Sequence, residues 1–492
     1  MLRRRMLAVI VLTLASTVLP ACDPAPVVEP GDISTPSDEE PAEGSVEARG
    51  ATEELEEQQE RTEQRLEALE EAKAEGLFGA GEPALGEPAP GWAGEQVMSA
   101  GTDDWEPATA ADPNAPFVYL LTTRYAAKPC AGNCPTPYLV LEVSGDGGRT
   151  WNDGVPLCAC KGSGQYDPII EVVPDTGDVY AVYMNGYNVV FTRSIDHGLS
   201  WSEPVPTWGK VSWGDKPALA TDATGQHVYL SWNGPQGGDP WIAQSHDFGQ
   251  TWSQMRVART KRYYFAYDGV VMDDGTAVLS ESSITYTAPG ATPEGVVEIH
   301  AFVSHDLGAT WRNVVVDSVQ VGQPCADCRA DYYIGHTSVT VDGDGRLVYA
   351  YDGATEALGP QRAYVRSSTD GGLTWSPRIA VSSASEHASS PMVEATGDGD
   401  VRLVYMQTSG GGDVDRWNAW FRRSTDGGRT WSAPLRISDA SSGAEYKHPE
   451  GFEEIYGDYG EIVITSTGKT FAVWGEAFSY IGPGGTWFNR EL

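Results

Sequence analysis

An eight-residue motif occurs six times after residue 100 of this 492-residue chain. The copies read SGDGGRTW from Ser144, SIDHGLSW from Ser194, SHDFGQTW from Ser245, SHDLGATW from Ser304, STDGGLTW from Ser368 and STDGGRTW from Ser424. Successive copies begin 50, 51, 59, 64 and 56 residues apart. Such a spacing is typical of four-stranded units repeated around a ring. The repeat therefore predicts one all-β domain over residues 101–492 rather than several unrelated domains.

Each copy fits the pattern Ser-x-Asp-x-Gly-x-Thr/Ser-Trp, which is typical of a hairpin turn. The aspartate can accept backbone N–H groups across the turn, the glycine can adopt a positive φ, and the tryptophan can fold back over the hairpin. We therefore interpret the motif aspartates as structural: Asp146, Asp196, Asp247, Asp306, Asp370 and Asp426.

The motif resembles the Asp box of the sialidase (BNR-repeat) superfamily, and the resemblance extends over residues 101–492. It implies a β-propeller in which each box joins the third and fourth strands of a blade, on the face opposite the active site. Starts of first strands, loops between second and third strands, and crossings between blades would then share the other face. Propellers place ligand sites on loops of this kind.

The number of blades follows from the strands around the boxes. Seven segments have the pattern of a second strand: Val118–Thr123, Val179–Met184, Val228–Trp232, Ala277–Ser280, Leu347–Asp352, Leu403–Met406 and Phe471–Glu476. Residues 486–490 match residues 419–423, which run into the sixth box, so the seventh blade lacks its outer strand. The segment Glu95–Ser99 can supply that strand. We predict seven blades, with a six-bladed ring and one irregular unit as the alternative.

The first 100 residues have a different character. Residues 1–21 combine three arginines with an apolar run and read as a bacterial lipoprotein signal peptide, with Cys22 as the lipidated residue. Simple secretion with a coincidental cysteine is the alternative. Residues 22–100 form a predicted acidic, low-complexity tether with a polar helix at about residues 53–75, which we interpret as a solvated spacer. These features predict a lipid-anchored protein of the cell envelope, periplasmic or at the cell surface.

The charge balance limits the possible partners. The chain has 33 Lys and Arg against 69 Asp and Glu, a net charge of −36. A nucleic-acid partner is excluded because such a surface repels phosphate. We expect a monomer that binds carbohydrate or protein. We expect no cofactor; structural calcium near the Asp-Gly turns stays open, although no segment has EF-hand spacing.

The remaining cysteines lie in loops that would share the ligand-site face. In an exported protein an even number of cysteines predicts disulfides, and a zinc site built from the first four is the alternative. Cross-pairing of the first two with the next two and a local bond between the last two are the predicted connections. The candidates are Cys130, Cys134, Cys158, Cys160, Cys325 and Cys328.

Polar residues concentrate at the predicted starts of the first strands, in segments such as Trp105-Glu106-Pro107, Tyr166-Asp167-Pro168 and Asp215-Lys216-Pro217. Aromatic faces can stack on sugars, and a carboxyl whose pKa is raised by its neighbours can act as a general acid. The candidate catalytic residues are Asp167, Asp215, Asp268, Tyr333, His336, Glu454 and Tyr459. The candidate substrate-binding residues are Trp105, Arg124, Arg262, Arg329, Glu386, His387 and Asp458.

The resemblance to the superfamily does not settle the activity. The resemblance implies an arginine triad, a Tyr–Glu nucleophile pair and an Arg-Ile-Pro or Arg-Leu-Pro segment, but this sequence has neither tripeptide. Tyr456 or Tyr459 beside Glu453 and Glu454 could imitate the Tyr–Glu pair. Two hypotheses remain, since a fold does not determine a function. We favour a sialidase-like propeller that binds glycan or protein without assured catalysis; the alternative is a glycan-active hydrolase or polysaccharide lyase.

Overall fold

The computed structural model describes most of the repeat region and a short stretch before it. The described residues are 62–67, 69–71, 73–74, 86–99, 101–126, 129, 134–157, 164–211, 214–234, 238–285, 293–323, 334–409, 416–444, 446, 460–477 and 484–492. Their regular secondary structure is almost entirely β-strand, and within the predicted spacer residues 62–67, 69–71 and 73–74 are helical. No helix within these ranges has the length and apolar character needed to cross a membrane.

In the described ranges, 28 strands form four-stranded antiparallel units, and six of the seven units are made of consecutive strands. Unit 1 contains β2 (Asp104–Ala111), β3 (Val118–Arg124), β4 (Tyr138–Ser144) and β5 (Val155–Pro156). Unit 2 contains β6 (Gln165–Val172), β7 (Val179–Asn185), β8 (Val189–Ser194) and β9 (Val205–Pro206). Unit 3 contains β10 (Asp215–Thr221), β11 (Val228–Asn233), β12 (Pro240–Ser245) and β13 (Ser253–Arg256).

The pattern continues along the chain. Unit 4 contains β14 (Tyr263–Val271), β15 (Ala277–Ile284), β16 (Val296–Ser304) and β17 (Arg312–Gln320). Unit 5 contains β18 (Thr337–Val341), β19 (Leu347–Ala354), β20 (Gln361–Ser368) and β21 (Ile379–Ala380). Unit 6 contains β22 (Ala388–Thr396), β23 (Asp400–Thr408), β24 (Trp417–Ser424) and β25 (Leu435–Arg436). Units 4 and 5 share one sheet through a single pair, Gln320 and Ala354.

Unit 7 is assembled from both ends of the described chain. It contains β26 (Glu461–Ile464), β27 (Thr470–Ala477) and β28 (Gly484–Arg490), and its outer strand is β1 (Gln96–Val97), which pairs with β28. The sequence-based prediction that the segment near residue 95 supplies this strand is confirmed. Trp92 strengthens the junction: it is buried and its ring lies 5.1 Å from that of Phe421 in unit 6.

The Asp boxes close the hairpins between third and fourth strands. In the last copy, Ser424 Oγ donates to Asp426 Oδ1 over 2.8 Å, and Asp426 then accepts the backbone N–H and the hydroxyl of Thr430. The indole of Trp431 donates to the carbonyl of Gly428 over 3.0 Å. The carboxylates of all six boxes accept hydrogen bonds within their own turns. They therefore hold the hairpins together.

The first strands of the units surround a common cavity. Neighbouring first strands contact each other in chain order, and β26 contacts β2. Residues from all seven first strands line a cavity of about 310 Å³ between them. The core consists of the apolar faces that each unit packs against the next, such as Val182 and Phe191 of unit 2 with Leu219 and Leu230 of unit 3.

Candidate functional site

Bulges bring polar residues to the starts of the first strands. Five of these strands, β2, β6, β10, β14 and β22, have a shift of register near their start. The residues at the bulges are Glu106, Asp167, Lys216, Tyr267 and Ser390, and His336 directly precedes β18. We call these six residues the polar cluster. Bulges re-aim side chains and are common beside active sites.

Four members of the polar cluster have backbone angles that side-chain-bearing residues rarely adopt. The φ values are 53° at Glu106, 48° at Asp167, 49° at Lys216 and 47° at Ser390. Each left-handed residue of this kind costs on the order of 1–3 kcal/mol. Such strain persists where the surrounding fold imposes it, and it concentrates at ligand sites.

Glu106, Asp167 and Lys216 form a group of ionisable side chains across three units, with Asp167 and Lys216 buried and Glu106 half-buried. Glu106 Oε2 accepts the hydroxyl of Thr123 over 2.7 Å and the backbone N–H of Asp167 over 2.8 Å. Burial and the charge of Asp167 raise the pKa of Glu106 to about 8, against the opposing effects of hydrogen bonds and of the Lys216 ammonium. The direction of this shift favours the protonated form of Glu106, the form that can donate a proton.

The other half of the polar cluster is a hydrogen-bonded network centred on Asp352 of β19. Its Oδ2 lies 3.1 Å from Nδ1 of His336 and accepts the backbone N–H of Ser390 over 2.8 Å. Tyr446 donates its hydroxyl to Ser390 Oγ over 2.7 Å. The ring of Tyr267 lies 5.4 Å from that of His336. A carboxylate placed in this way orients an imidazole for acid–base or hydrogen-bonding work.

Carboxyl groups continue from the polar cluster into the central cavity. Tyr267, His336 and Ser390 line its wall together with Glu171, Asp268, Glu394 and Glu461. Burial raises the pKa of Asp268 to about 6, although Val339, Ser338 and Gly269 donate hydrogen bonds to it. Burial and the charge of Asp268 raise the pKa of Glu394 to about 8. Among the described residues, no three His, Cys, Asp or Glu side chains are arranged to hold a metal ion.

The repeat and its geometry agree with a known family. The sequence profile of the BNR repeat-like domain family matches residues 216–469, more than half of the chain. The chain belongs to this family. The predicted resemblance to the sialidase (BNR-repeat) superfamily is thereby confirmed for this BNR-repeat protein.

Solved structures similar to the BNR-repeat protein come from several proteins, at low identity. A protein of unknown function from Dyadobacter fermentans is 14% identical, with 82% of this chain and 99% of that chain covered at a TM-score of 0.44. An ulvan lyase is 12% identical, with 80% of this chain and 94% of the lyase chain covered at a TM-score of 0.47. The intramolecular trans-sialidase of Ruminococcus gnavus is 13% identical, with 81% of this chain and 96% of the trans-sialidase chain covered at a TM-score of 0.42. No curated protein matches the chain.

The structure brings several of the sequence-predicted site residues together. Asp167 and His336 are members of the polar cluster, Asp268 lies next to Tyr267 on the cavity wall, and Trp105 directly precedes Glu106. Asp215 begins β10 opposite Asn233, directly before Lys216. These residues share the starts of the first strands, while the single ligand basin stays a prediction.

The predicted arginines have structural partners. Arg124 donates to both carboxylate oxygens of Asp104, over 2.6 and 2.8 Å, and it also contacts Glu142. Arg262 donates to the carbonyls of Ser283 and Val296, both over 2.7 Å. Both guanidinium groups are thus hydrogen-bonded to protein groups, and their role in substrate binding stays a prediction.

The remaining predicted residues divide into two sets. Glu386 accepts the hydroxyl of Thr408 over 2.7 Å, and burial lowers the pKa of His387. Cys134 is buried and disulfide-bonded, while the proposed pairing stays a prediction. Ten candidates lie outside the described residues: Arg329, Tyr333, Glu454, Asp458, Tyr459, Cys130, Cys158, Cys160, Cys325 and Cys328. The proposed lipidation residue Cys22 also lies outside them.

Sequence reasoning missed Glu106, Lys216, Ser390, Asp352 and Tyr446 as site residues. A signal for three of them is present, because Glu106, Lys216 and Ser390 each precede a proline at the start of a first strand, as Asp167 does. A repeated polar-Pro pair at the same point of several units indicates a shared backbone requirement. Asp352 and Tyr446 have no such signal, since they join the site through contacts distant in sequence.

Proposed function

We propose that this BNR-repeat protein binds a carbohydrate at the polar cluster. The observation that carries the proposal is the set of strained bulges that places Glu106, Asp167, Lys216 and Ser390 at the same point, the start of the first strand, in four of the units. Carboxyl, ammonium, hydroxyl and imidazole groups around an aromatic residue are the groups that recognise sugar hydroxyls and ring faces.

We infer that the units form a seven-bladed propeller. Seven four-stranded units, a cavity bordered by every first strand, and the completion of unit 7 by β1 support this count. The polar cluster would then lie at one end of the central cavity, with the Asp boxes at the opposite end.

The charges of the site favour a neutral sugar over an acidic one. Asp167 and Asp352 contribute carboxyl groups, and the predicted clamp residues Arg124 and Arg262 already bind protein groups. A sugar carboxylate placed among these acids would be repelled at close range. We therefore propose a neutral oligosaccharide as the ligand class.

A glycan array containing neutral, uronic and sialylated oligosaccharides tests the binding proposal. We expect signals on neutral glycans, weakened about tenfold or more by Asp167→Asn, because the amide removes a charge without disturbing a backbone that asparagine tolerates. Asp153→Asn, at an exposed position between β4 and β5, serves as the matched control. Binding that is confined to sialylated glycans, or equal in both variants, would contradict the proposal.

Glycoside hydrolysis is the second candidate, and the pKa of Glu106 favours it. A carboxylic acid that stays protonated near neutral pH beside a second carboxyl group is the arrangement of acid-catalysed glycoside cleavage. Glu106 would donate the proton and Asp167 would act as the second carboxylate. A panel of fluorogenic glycosides tests this candidate: turnover that Glu106→Gln reduces about a hundredfold or more supports it. Absence of turnover on all substrates, with glycan binding retained, leaves binding as the function.

We further propose attachment to the cell envelope through a lipid on Cys22. The arginines, apolar run and cysteine of the N-terminal segment support the proposal. Metabolic labelling with an alkyne fatty acid is expected to mark the protein, and Cys22→Ser is expected to remove the label and release the protein from membranes. Unchanged membrane association of the Cys22→Ser variant would show a different anchor.

A further inference from the structure

The helical residues before the repeats present one face to the protein. Thr62 and Leu69 are buried, Arg65 and Leu66 are half-buried, and these four residues follow the i, i+3, i+4, i+7 spacing of a single helix face. Residues 63, 64, 67 and 70 are exposed. The expectation of a helix solvated on all sides therefore does not hold for the described helical residues, which we call the strap (62–67, 69–71 and 73–74).

Arg65 attaches the strap beside the polar cluster. Its guanidinium carbon lies 3.2 Å from the centre of the Trp105 ring and 5.1 Å from that of Tyr125. Its Nη1 lies 3.3 Å from Asp103 Oδ2, and only 1% of the Asp103 side chain is exposed. A planar cation between aromatic faces and a buried carboxylate is strongly favoured, because each group compensates the desolvation of the others.

Asp103 connects the strap to two units. Its Oδ1 accepts the indole N–H of Trp105 over 2.8 Å and the backbone N–H of Gly484, at the start of β28, over 2.6 Å. Burial raises the pKa of Asp103, and the charge of Arg65 opposes that rise. Arg65 is thus a counter-ion for a carboxylate that lies where units 1 and 7 meet.

We propose that the strap is a detachable cover of the Trp105 ring, held in place by Arg65. Trp105 directly precedes Glu106, so its backbone adjoins the polar cluster at the start of β2. The described strap has only a few turns, too few for a stable isolated helix, so its contacts with the repeat units hold it in place. In the ligand-free protein Arg65 occupies the aromatic face, and a sugar that stacks on Trp105 displaces it. This last step rests on the proposed function, whereas the covering of Trp105 does not.

Hydrogen exchange and hydroxyl-radical footprinting of the purified full chain test the covering. We expect Arg65→Ala to increase the exchange rate of the strap amides about tenfold or more, and to increase the oxidation of Trp105. Arg65→Lys keeps the charge but loses the planar stacking. Its strap exchange rate and Trp105 oxidation should therefore lie between those of the wild type and those of Arg65→Ala. Lys73→Ala is the matched control, because Lys73 is the other strap cation and pairs with Glu70 on the same helix. Unchanged strap exchange in Arg65→Ala, with the rest of the protein folded, would overturn the proposal.

Binding of cellohexaose, xylohexaose and chitohexaose separates this proposal from the proposed function. If the strap competes with a sugar, Arg65→Ala binds the preferred oligosaccharide about threefold or more tightly than wild type, and Lys73→Ala binds it equally. If no oligosaccharide binds any variant, the proposed function fails, while faster strap exchange in Arg65→Ala still supports the covering. Weaker sugar binding by Arg65→Ala would identify Arg65 as a ligand contact and overturn its role as a cover.

Discussion

The fourth position of the Asp box shows how a single backbone angle constrains the sequence. Three boxes have glycine there, and three have a residue with a side chain. The φ values are 76° at Gly147, 67° at Gly371 and 70° at Gly427, against 58° at His197, 62° at Phe248 and 56° at Leu307. The left-handed conformation is therefore imposed by the turn in every copy, whichever residue occupies it. Residues other than glycine pay a conformational penalty at this position.

Replacing Leu307 by glycine should stabilise the protein. Leu307 is 46% exposed, so the side chain contributes little burial to offset the left-handed strain. We expect Leu307→Gly to increase the free energy of unfolding by about 1 kcal/mol, measured by denaturant titration. Leu199→Ala, at an exposed position of another box, should have no measurable effect. A loss of stability in Leu307→Gly would mean that the leucine contacts outweigh the strain.

At the scale of the element, the Asp box is a cross-link that needs an ionised carboxylate. Asp370 accepts the hydroxyl of Ser368 over 2.8 Å, the N–H groups of Leu373 and Thr374, and the hydroxyl of Thr374. The hydrogen bond from the Thr374 hydroxyl has the largest effect and, with the others, lowers the pKa of Asp370 to about 2. The hairpin thus depends on a charge that solvent can reach.

Asp370→Ala should destabilise the protein in a pH-dependent way. Solvent exposure limits the expected loss near neutral pH to about 1–2 kcal/mol. The folded-state pKa is depressed, so the contribution is present above the unfolded pKa of about 4 and is lost as the pH falls towards 2. The free energies of unfolding of the wild type and Asp370→Ala, measured by denaturant titration, should approach each other as the pH falls through this range. A difference that grows with acidification would contradict the assignment, and Asp153→Ala provides the exposed control.

At the scale of the whole molecule, the units depend on closure by the N-terminal segment. The backbone N–H of Met98 donates to the Thr486 carbonyl over 2.8 Å, and that of Ala93 donates to the Arg490 carbonyl over 3.0 Å. Glu95 donates its N–H to Asp439 Oδ2 of the loop after β25 over 2.7 Å. Units 6 and 7 are thus joined by residues that lie more than 340 positions away in sequence.

Removal of residues 1–98 should therefore affect stability far more than removal of residues 1–85. The longer deletion removes β1 and the buried Trp92, whose loss alone should cost about 3–5 kcal/mol. We expect a clear decrease in melting temperature or loss of cooperative unfolding, measured by calorimetry. The shorter deletion removes the strap and should give a smaller decrease. Equal melting temperatures for the two deletions would contradict a closing role for β1.

The buried carboxyls of the central cavity should make the protein less stable in alkali. Their folded-state pKa values are raised, to about 6 for Asp268 and about 8 for Glu394. Stability from such groups is complete below the unfolded pKa and is lost as the pH rises through the folded value. The contribution of Asp268 is lost below about pH 7, so we expect the melting temperature to fall by about 2 °C from about pH 7 to about pH 9 through Glu394, a range above the titration of unfolded histidine. Glu394→Gln should reduce this fall in melting temperature. A melting temperature that rises over the same pH range would contradict a raised pKa for Glu394.

The sequence alone determined the repeating β architecture, because each Asp box contains its own hydrogen-bonding partners within eight residues. It also identified the strand near residue 95 that completes unit 7, through the missing partner of residues 486–490. Only the tertiary structure decided the composition of the site. Asp352, Ser390 and Tyr446 meet across units, and Arg65 meets Trp105 across a long separation, through contacts that no local pattern encodes. Local hydrogen bonds can be predicted from sequence, whereas the geometry of a site depends on how the units pack.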